Sequence, residues 1–384
     1  MNAKQKRAQP RGTDVAIRIR PYTEEFVNAV AEFNRRMGRA GVPFQVPETP
    51  VSSWLPNVDG RNIFQEIYLA VEDRCVRGAY TFKQQLFSFR GRILPVGACQ
   101  MPISEGIVDK RYSLVGPRLV HDALQKQPLL YGLGIGSREA AVARVLEAMG
   151  WTLRAVPFFF KVRNGFRFLR NIQHLRTTRT RRLLLDVAAY SGAGFVGAMM
   201  ARVLLARRHR VQPVSAQPVS EFSGWADDLW QVCKDHYSMI AVRDADVLNI
   251  LYPSIDPRFI RLKVLEGRRI TGWAVLLDTP MSGDKYFGNM RVGSIVDCMA
   301  APGDAGPVMA AASQFLERRG VDLLLSNQSH PAWGRGLRNA GFVEGPSNYF
   351  FTSSPELTRL LDEVDPARAE MHLNRGDGDG PIHL

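Results

Sequence analysis

The chain predicts a tandem α/β fold: two copies of one domain, each a mixed sheet flanked by helices, joined by an apolar helical linker with arginines at both ends. Three repeated landmarks carry this reading. A helix end followed by glycine and an aromatic residue occurs twice, at Gly150-Trp151 in LEAMGWTLRAVPFFFKV and at Gly341-Phe342 in LRNAGFVEGPSNYFFTS. In both, an aromatic strand begins eight residues after the glycine, at Phe158 and at Tyr349. Gly116-Pro117 recurs as Gly306-Pro307, and Gly78 in LAVEDRCVRGAY recurs as Gly272 in LKVLEGRRITGW. The offsets are 191 (150 to 341), 190 (116 to 306) and 194 (78 to 272) residues, in the same order, as a duplicated unit requires.

Each copy reads strand, turn, strand, strand, helix, strand, helix, strand. In the first, IYLAVED, VRGAYTFKQQLFSF and ILPVGACQMPI are strands by their β-branched and aromatic content. GPRLVHDALQK is a helix with Pro117 in its first turn, where a missing N–H is tolerated. LLYGLGIG is a strand, and SREAAVARVLEAMG a helix with Ser137 as N-cap and Gly150 at its end. VPFFFKV closes the copy. The second copy follows with FIRLKVLEG, RRITGWAVLLDT, MRVGSIVDCMA, helix GPVMAAASQFLERRG, strand VDLLLSNQ, helix HPAWGRGLRNAG and strand SNYFFTS. A strand and helix, VAIRIRPYTEEFVNAVAEFNRRM, precede the first copy, and a helix, FSGWADDLWQVCKDHYSM, precedes the second. The expected boundaries are a disordered basic tail over 1–14, domains over 15–165 and 216–360, a linker over 166–215, and a tail over 361–384 whose end, NRGDGDGPIHL, reads as disordered.

The 384 residues suffice for two ordinary domains, and the formal charge is +13. The charge is not spread evenly. Between Arg163 and Arg210 there are eleven arginines, no lysine and one acid, Asp186, a net +10. The N-terminal tail adds +3 through Lys4, Lys6, Arg7 and Arg11 against Asp14, so the remainder is neutral. A groove that tracks phosphates needs basic residues across its domain. Nucleic acid is therefore a minor expectation, mainly through a tRNA-borne substrate. Cys75, Cys99, Cys233 and Cys298 are far apart and form no CxxC pair, so no metal site is expected. Cys75, Cys99 and Cys298 lie in apolar runs and read as core thiols of a reducing compartment. The polar, basic N-terminus has no apolar signal region, which makes the cytoplasmic side the default.

The linker contains an apolar block from Leu183 to Ala206, interrupted by Asp186 and Arg202. Its uncharged part, Val187 to Ala201, would span about 22 Å as a helix, short of a hydrocarbon core of about 30 Å. Small residues (Ser191, Gly194, Ala198) fall on one helical face and bulky ones (Val196, Met199, Met200, Val203) on the other. Arginines at both ends suit anionic headgroups, so residues 176–210 are expected to lie in an anionic membrane interface. The other reading is a helix buried between the lobes.

The opening IRIRPYTEEFVNAVAEFNRRM, the VRGAYTF hairpin and the helix-Gly-aromatic endings resemble the acetyltransferase fold of the GNAT superfamily, over roughly residues 15–162 and 220–353. Two such lobes in one chain resemble the Fem-type peptidyltransferases and the GNAT-like proteins associated with bacterial cell-surface polysaccharides. FRFLRNIQHLR followed by an apolar block is similar to the linker of the latter. The resemblance implies an acyl-CoA or other acyl thioester donor, no metal, and a pyrophosphate held on backbone N–H groups at a helix N-terminus. The positions that would do this are Val115, Gly116 and Arg118. The family's loop, R/Q-x-x-G-x-G/A, is absent from both copies, which read DKRYSLVGPRLV and AAPGDAGPVMAA. The usual general-acid tyrosine is also absent, with Leu146 and Leu337 in its place. Fem-type enzymes likewise lack a standard loop and use charged tRNA.

Candidate chemistry therefore comes from elsewhere. PISEGIVDKRY places Ser104, Glu105, Asp109, Arg111 and Tyr112 just past a strand, where a carboxylate can deprotonate an amine or simply cap the next helix. Asp297 in VGSIVDCMA is an acid inside a strand, hence a site residue or the partner of an arginine. Asn327 and His330 sit at a strand-to-helix corner, where His330 can act as base or cap. Asn34, Arg35 and Arg36, with Trp54, Tyr112, Asn327 and Tyr349, are candidates for an anionic or sugar substrate, against a solvated helix end. The GLGIG run lacks the context of a phosphate loop. The expected function is an N-acyltransferase peripheral to the inner membrane surface, acting on an amine of an envelope polysaccharide or lipid-linked precursor. The alternatives are a Fem-like transferase using aminoacyl-tRNA and a catalytically inactive tandem GNAT scaffold.

Overall fold

The structure, a computed structural model, describes residues 17–173 except Ser53, Leu183, and residues 214–378 except Asn348. The first half contributes β1 (Arg18–Pro21), α1 (Val27–Arg39), β2 (Phe64–Glu72), β3 (Cys75–Phe89), β4 (Arg92–Ser104), α2 (Val115–Lys126), β5 (Leu130–Ile135), α3 (Ala141–Ala148), β6 (Thr152–Ala155), β7 (Phe158–Val162) and α4 (Gly165–Asn171). The second contributes β8 (Val214–Pro218), α5 (Gly224–Cys233), β9 (Met239–Ala241), α6 (Ala245–Leu251), β10 (Ile260–Glu266), β11 (Arg269–Pro280), β12 (Arg291–Ala300), α7 (Ala305–Arg318), β13 (Leu323–Asn327), α8 (Pro331–Asn339), β14 (Val343–Gly345), β15 (Phe350–Ser353), α9 (Pro355–Val364) and β16 (Met371–His372). These form two mixed sheets flanked by helices, the tandem α/β arrangement expected from the sequence. The first sheet runs β1-β2-β3-β4-β5-β15-β6, with β9 beside β3 and β16 beside β9; the second runs β14-β7-β13-β12-β11-β10-β8. Among the described strands, β4–β5, β12–β13 and β9–β16 pair in parallel.

The repeated landmarks do the same work twice. A Cβ on Gly78 would stand 2.8 Å from both the Ile103 carbonyl oxygen and Val115 Cγ1; one on Gly272 would stand 2.5 Å from both the Met299 carbonyl oxygen and Val308 Cγ2. Each glycine lets the helix after the gap, α2 or α7, lie directly on the hairpin. Gly150 and Gly341 end α3 and α8 at φ +82° and +88°, the left-handed conformation that favours glycine. Because backbone cannot yield cheaply at Gly272, Gly272→Ala is expected to cost about 1–3 kcal/mol. A urea midpoint equal to wild type would contradict that packing.

The closing strands are exchanged. β7 lies between β13 and β14 of the second sheet, and β15 lies between β5 and β6 of the first. VPFFFKV therefore closes the second sheet rather than its own copy. The boundaries at 165 and 360 follow the chain but not the sheets. Phe159 on β7 packs with Trp333, Leu337 and Phe342, while Phe351 on β15 packs with Tyr131 and Leu133. Separating the lobes would break both ladders.

Three local expectations are corrected. Ser137 does not cap α3, whose N-cap is Ala140; its hydroxyl instead accepts the Glu139 N–H at 3.0 Å. Cys75 begins a strand at a hairpin turn and is exposed rather than core. The stretch after 360 is not a free tail: α9 ends at Val364, and Met371, Leu373, Asn374 and Asp377 are each no more than 2 % exposed. Most of the linker, including Val187 to Ala201, lies outside the described residues; Leu183 alone of the apolar block is described, helical and exposed. Among the described residues no helix is long and apolar enough to cross a membrane.

Candidate functional site

Both copies carry one extra residue in the strand before the gap. In β4, Thr81 faces Gln100 but Ala79 faces Ile103, so Met101-Pro102 stands opposite Tyr80 alone. In β12, Val275 faces Asp297 and Leu276 faces Ile295, which leaves Val296 over. A bulge bends its strand and ends regular pairing. Met101 takes φ +46°, and Pro102 has no N–H to donate. Pairing between β4 and β5 is confined to Gly97–Leu130 and Ala98–Tyr131.

Beyond that point β4 and β5 part around a cavity of about 250 Å³. Its walls include Cys99, Gln100, Val120, Leu133, Leu146 and Trp151, and the exposed Phe44 stands at its edge. The buried Trp151 indole N–H has no hydrogen-bond partner among the described residues. Burial, with Asp122 adding to it, pushes the Cys99 thiol up to about 12, so it is a neutral wall group. Iodoacetamide at mildly alkaline pH is expected to alkylate Cys75 well before Cys99, read by peptide mass spectrometry; early labelling of Cys99 would mean the cavity is open to solvent. α2 starts beside Ser104. A Cβ on Gly116 would meet nothing closer than Ser104 Cβ at 3.8 Å, so its backbone can be approached. Lys110 and Arg118 are exposed here and make no ion pair among the described residues.

The equivalent gap in the second sheet is filled. β12 and β13 pair from Val292–Leu323 to Ile295–Ser326, and then the chain's own C-terminal segment enters. Asn374 bridges Gln328, Leu373 N donates to Ser329 Oγ at 2.7 Å, and His372 Nε2 lies 2.8 Å from the Cys298 carbonyl oxygen. At the centre Asp297 Oδ2 accepts from Arg243 Nε at 2.8 Å and the Tyr252 hydroxyl at 2.6 Å. Its Oδ1 accepts from Asn374 Nδ2 and the Cys298 N–H, both at 2.8 Å. Arg243 Nη2 reaches Asp377 Oδ1 at 2.5 Å. Burial alone would lower the arginine's pKa, but Asp297 and Asp377 outweigh it and hold the guanidinium charged. At the start of α7 stands another acid, Asp304, paired with Arg269 at 2.9 Å. Carboxylate at a helix N-terminus occupies the place an anionic ligand would take.

The residues singled out from the sequence divide between these places. Asp297 is the partner of an arginine, with both oxygens saturated by four donors. Glu105 is likewise held: Oε1 accepts from Arg36 Nε at 3.1 Å, and Oε2 from Arg36 Nη2 at 3.2 Å and Arg77 Nη1 at 3.0 Å. Asp109 caps the turn at Lys110–Tyr112, and the Arg111 side chain and N–H bound to it lower its pKa. Tyr112 donates to Glu72 at 3.1 Å, with the Arg77 guanidinium 4.4 Å from its ring centroid. Val115 is buried, Gly116 is accessible and Arg118 exposed at the first turn of α2. Asn34 is buried and exchanges two hydrogen bonds with the Val46 backbone at 2.8 and 2.9 Å, so it fixes a loop rather than facing a ligand. Arg35 is exposed and pairs with Glu32 one turn away. Asn327 is buried at the end of β13, and Tyr349 packs against the core that holds Tyr131 and Leu133. Trp54 donates its indole N–H to the Leu251 carbonyl at 3.1 Å, across the lobes.

His330 is the N-cap of α8: its Nδ1 accepts the Ala332 N–H at 3.2 Å. Burial first, then His372 and Arg335, push its pKa from 6.5 down to about 4. Between those values the unfolded chain binds a proton that the folded chain does not. Stability from this group is complete above about pH 6.5 and falls as pH drops toward 4. His330→Asn, which keeps a capping acceptor, is expected to flatten that part of the stability profile; identical acid slopes would rule out a neutral His330.

Sequence reasoning missed Arg243, Tyr252, Asn374 and Asp377, and also Gln65, Lys83 and Gln85 on the inner face of the first sheet. The alternation Met371-His372-Leu373-Asn374 was the available signal for a strand at the C-terminus. Among the described residues no cluster of histidine, cysteine, aspartate or glutamate suits a metal ion.

No protein family and no curated protein matches the chain. Solved structures do. A probable N-acyltransferase from Enterococcus faecalis V583 is 10% identical over 89% of this chain and 74% of its own, with a TM-score of 0.49. Saccharomyces cerevisiae N-myristoyltransferase, solved with bound myristoyl-CoA and inhibitors, is 11% identical over 90% of this chain and 81% of its own, also at 0.49. A GCN5-related N-acetyltransferase from Anabaena variabilis ATCC 29413 is 10% identical over 79% and 63%, at 0.45. At this distance the likeness assigns neither activity nor substrate to the chain.

Proposed function

We propose that the chain is an N-acyltransferase whose first lobe holds an acyl thioester and passes its acyl group to an amine of an envelope polysaccharide or lipid-linked precursor. The observation that carries this reading is the asymmetry of the two gaps. One parts around an apolar cavity beside a helix N-terminus with accessible Gly116, and with Lys110 and Arg118 in no ion pair among the described residues. The other is plugged by the chain itself. The acyl group would lie among Val120, Leu146 and Trp151. An anionic carrier would cross the first turn of α2, where the dipole and the two cations favour it. The amine nitrogen attacks the thioester carbonyl, the N–C bond forms, the C–S bond breaks, and the thiol leaves with the amine's proton. The products are an amide and a free thiol. The lobe contributes position and a dry wall.

The arginine-rich stretch 176–210 is proposed to hold the protein at an anionic membrane surface, near a lipid-linked acceptor. The saturation of Glu105 and Asp297 favours one rival, a donor-binding scaffold without turnover. Thermal melting with CoA, acetyl-CoA and a long-chain acyl-CoA tests the donor. Saturable stabilisation by one thioester supports the reading and names the acyl class. No shift with any of them would contradict it and favour charged tRNA or a carrier protein. Stabilisation without transfer to any amine would favour the scaffold.

A further inference from the structure

A second cavity, of about 710 Å³, lies between the lobes. It exists because the sheet has a break. β2 reaches Gln84 of β3 and stops, and β9 joins β3 only from Phe87. In between, Gln85 and Leu86 have β4 on one side, at Val96 and Pro95, and no strand among the described residues on the other, where the Val242 N–H closes onto the Leu86 carbonyl at 2.9 Å. The loop from Trp54 to Ile63 and the start of α6 complete the walls.

The polar groups at this cavity are of two kinds. Asp244 caps its own helix at Val247, and both amide atoms of Asn249 are taken by the Phe222 backbone. These are structural. Gln85 is different. It is 1 % exposed, lines the cavity, and neither its carbonyl oxygen nor its NH2 has a partner among the described residues. Burying an unpaired carboxamide is costly, and folded proteins seldom keep one. Trp54 forms a fixed aromatic wall, its N–H tied to Leu251 and Lys83 Nζ 5.2 Å from its ring centroid. Arg61 and Asn62 are exposed at the same cavity with no side-chain partner among the described residues, and Asp246, on α6, is exposed and also lines it.

We propose that this inter-lobe cavity binds an amino sugar and is the acceptor site of the transfer. A sugar ring has an apolar C–H face to set against Trp54 and adjacent hydroxyls that both donate and accept, which is what the Gln85 carboxamide lacks. Asp246 favours an ammonium or amine at the mouth. One buried residue, Gln65, links this cavity's wall to that of the acyl site. Leu55 in its wall accepts the Gln65 N–H at 2.7 Å, and Gln65 Nε2 donates at 2.7 Å to Gln100, a wall residue of the acyl cavity. The word acceptor rests on the acyl-transfer reading; sugar binding does not.

The test is calorimetric titration of the full chain with glucosamine, alongside thermal melting, for wild type and Gln85→Leu. A ligand-seeking amide should cost the free protein stability, so Gln85→Leu should raise the melting temperature by about 2 °C and weaken glucosamine binding at least tenfold. A lower melting temperature would make Gln85 structural and overturn the site. So would equal glucosamine affinity in both proteins, or no binding to wild type. Long-chain acyl-CoA titrated into the same samples keeps the two readings apart: glucosamine binding without any acyl-CoA binding would sustain the sugar site while removing its role as acceptor.

Discussion

Arg243→Ala is expected to destabilise the protein by about 3–5 kcal/mol, the usual consequence of leaving a buried charge without its partner. Here two carboxylates lose it at once. Asp297 would keep only Tyr252, Asn374 and the Cys298 N–H, and Asp377 would lose the guanidinium that anchors it to the second lobe. Arg243→Lys should recover only part of the loss, since one ammonium cannot reproduce a planar fork that spans two carboxylates. Replacing Arg243, Asp297 and Asp377 together by apolar residues should cost less than Arg243→Ala alone. Urea unfolding of the three variants checks the order. If Arg243→Ala were within about 1 kcal/mol of wild type, as an exposed pair would be, the network would not be the keystone of the second lobe.

Ending the chain after Glu370 is expected to be about as damaging, about 4 kcal/mol or more. It removes buried Met371 and Leu373 and withdraws Asn374 and Asp377 from the network. It would also reopen the gap between β12 and β13. A single substitution tests the same packing without deletion. A Cβ on Gly376 would lie 2.4 Å from the Tyr252 hydroxyl and 2.9 Å from Asp297 Oδ2, so Gly376→Val should wedge the segment out. Both changes should lower the melting temperature and speed proteolysis near the C-terminus. Wild-type stability after truncation would show that the second gap needs no plug.

What the sequence revealed and what it hid have physical causes. Gly78 and Gly272 were legible because a glycine inside a strand pattern marks a close approach, and two of them at a constant offset mark it twice. The strand exchange was not, because Phe158–Val162 carries the same aromatic pattern whichever sheet it joins. Asp297 was recognisable as an acid that must find a partner. Its partners lie at Arg243 and Asn374, at separations of 54 and 77 residues, where no local pattern points. The C-terminus misled because RGDGDG has the composition of a free tail; what holds it is tertiary pairing with Arg243, and composition carries no trace of that. Gln85 stands in the polar run Lys83-Gln84-Gln85, and nothing in that run distinguishes the amide left unpaired at a cavity.

The central claim is that the open gap of the first sheet, and not its plugged counterpart, receives the acyl donor. Equilibrium binding of long-chain acyl-CoA to wild type and to Ala140→Trp tests it most directly. Ala140 lines the cavity at the half-exposed start of α3, where a large side chain can fill the space with little harm to the fold. Saturable binding by wild type, lost in a folded Ala140→Trp, is the predicted result. Binding of equal strength in both proteins would place the donor elsewhere, and the absence of binding in wild type would contradict the account.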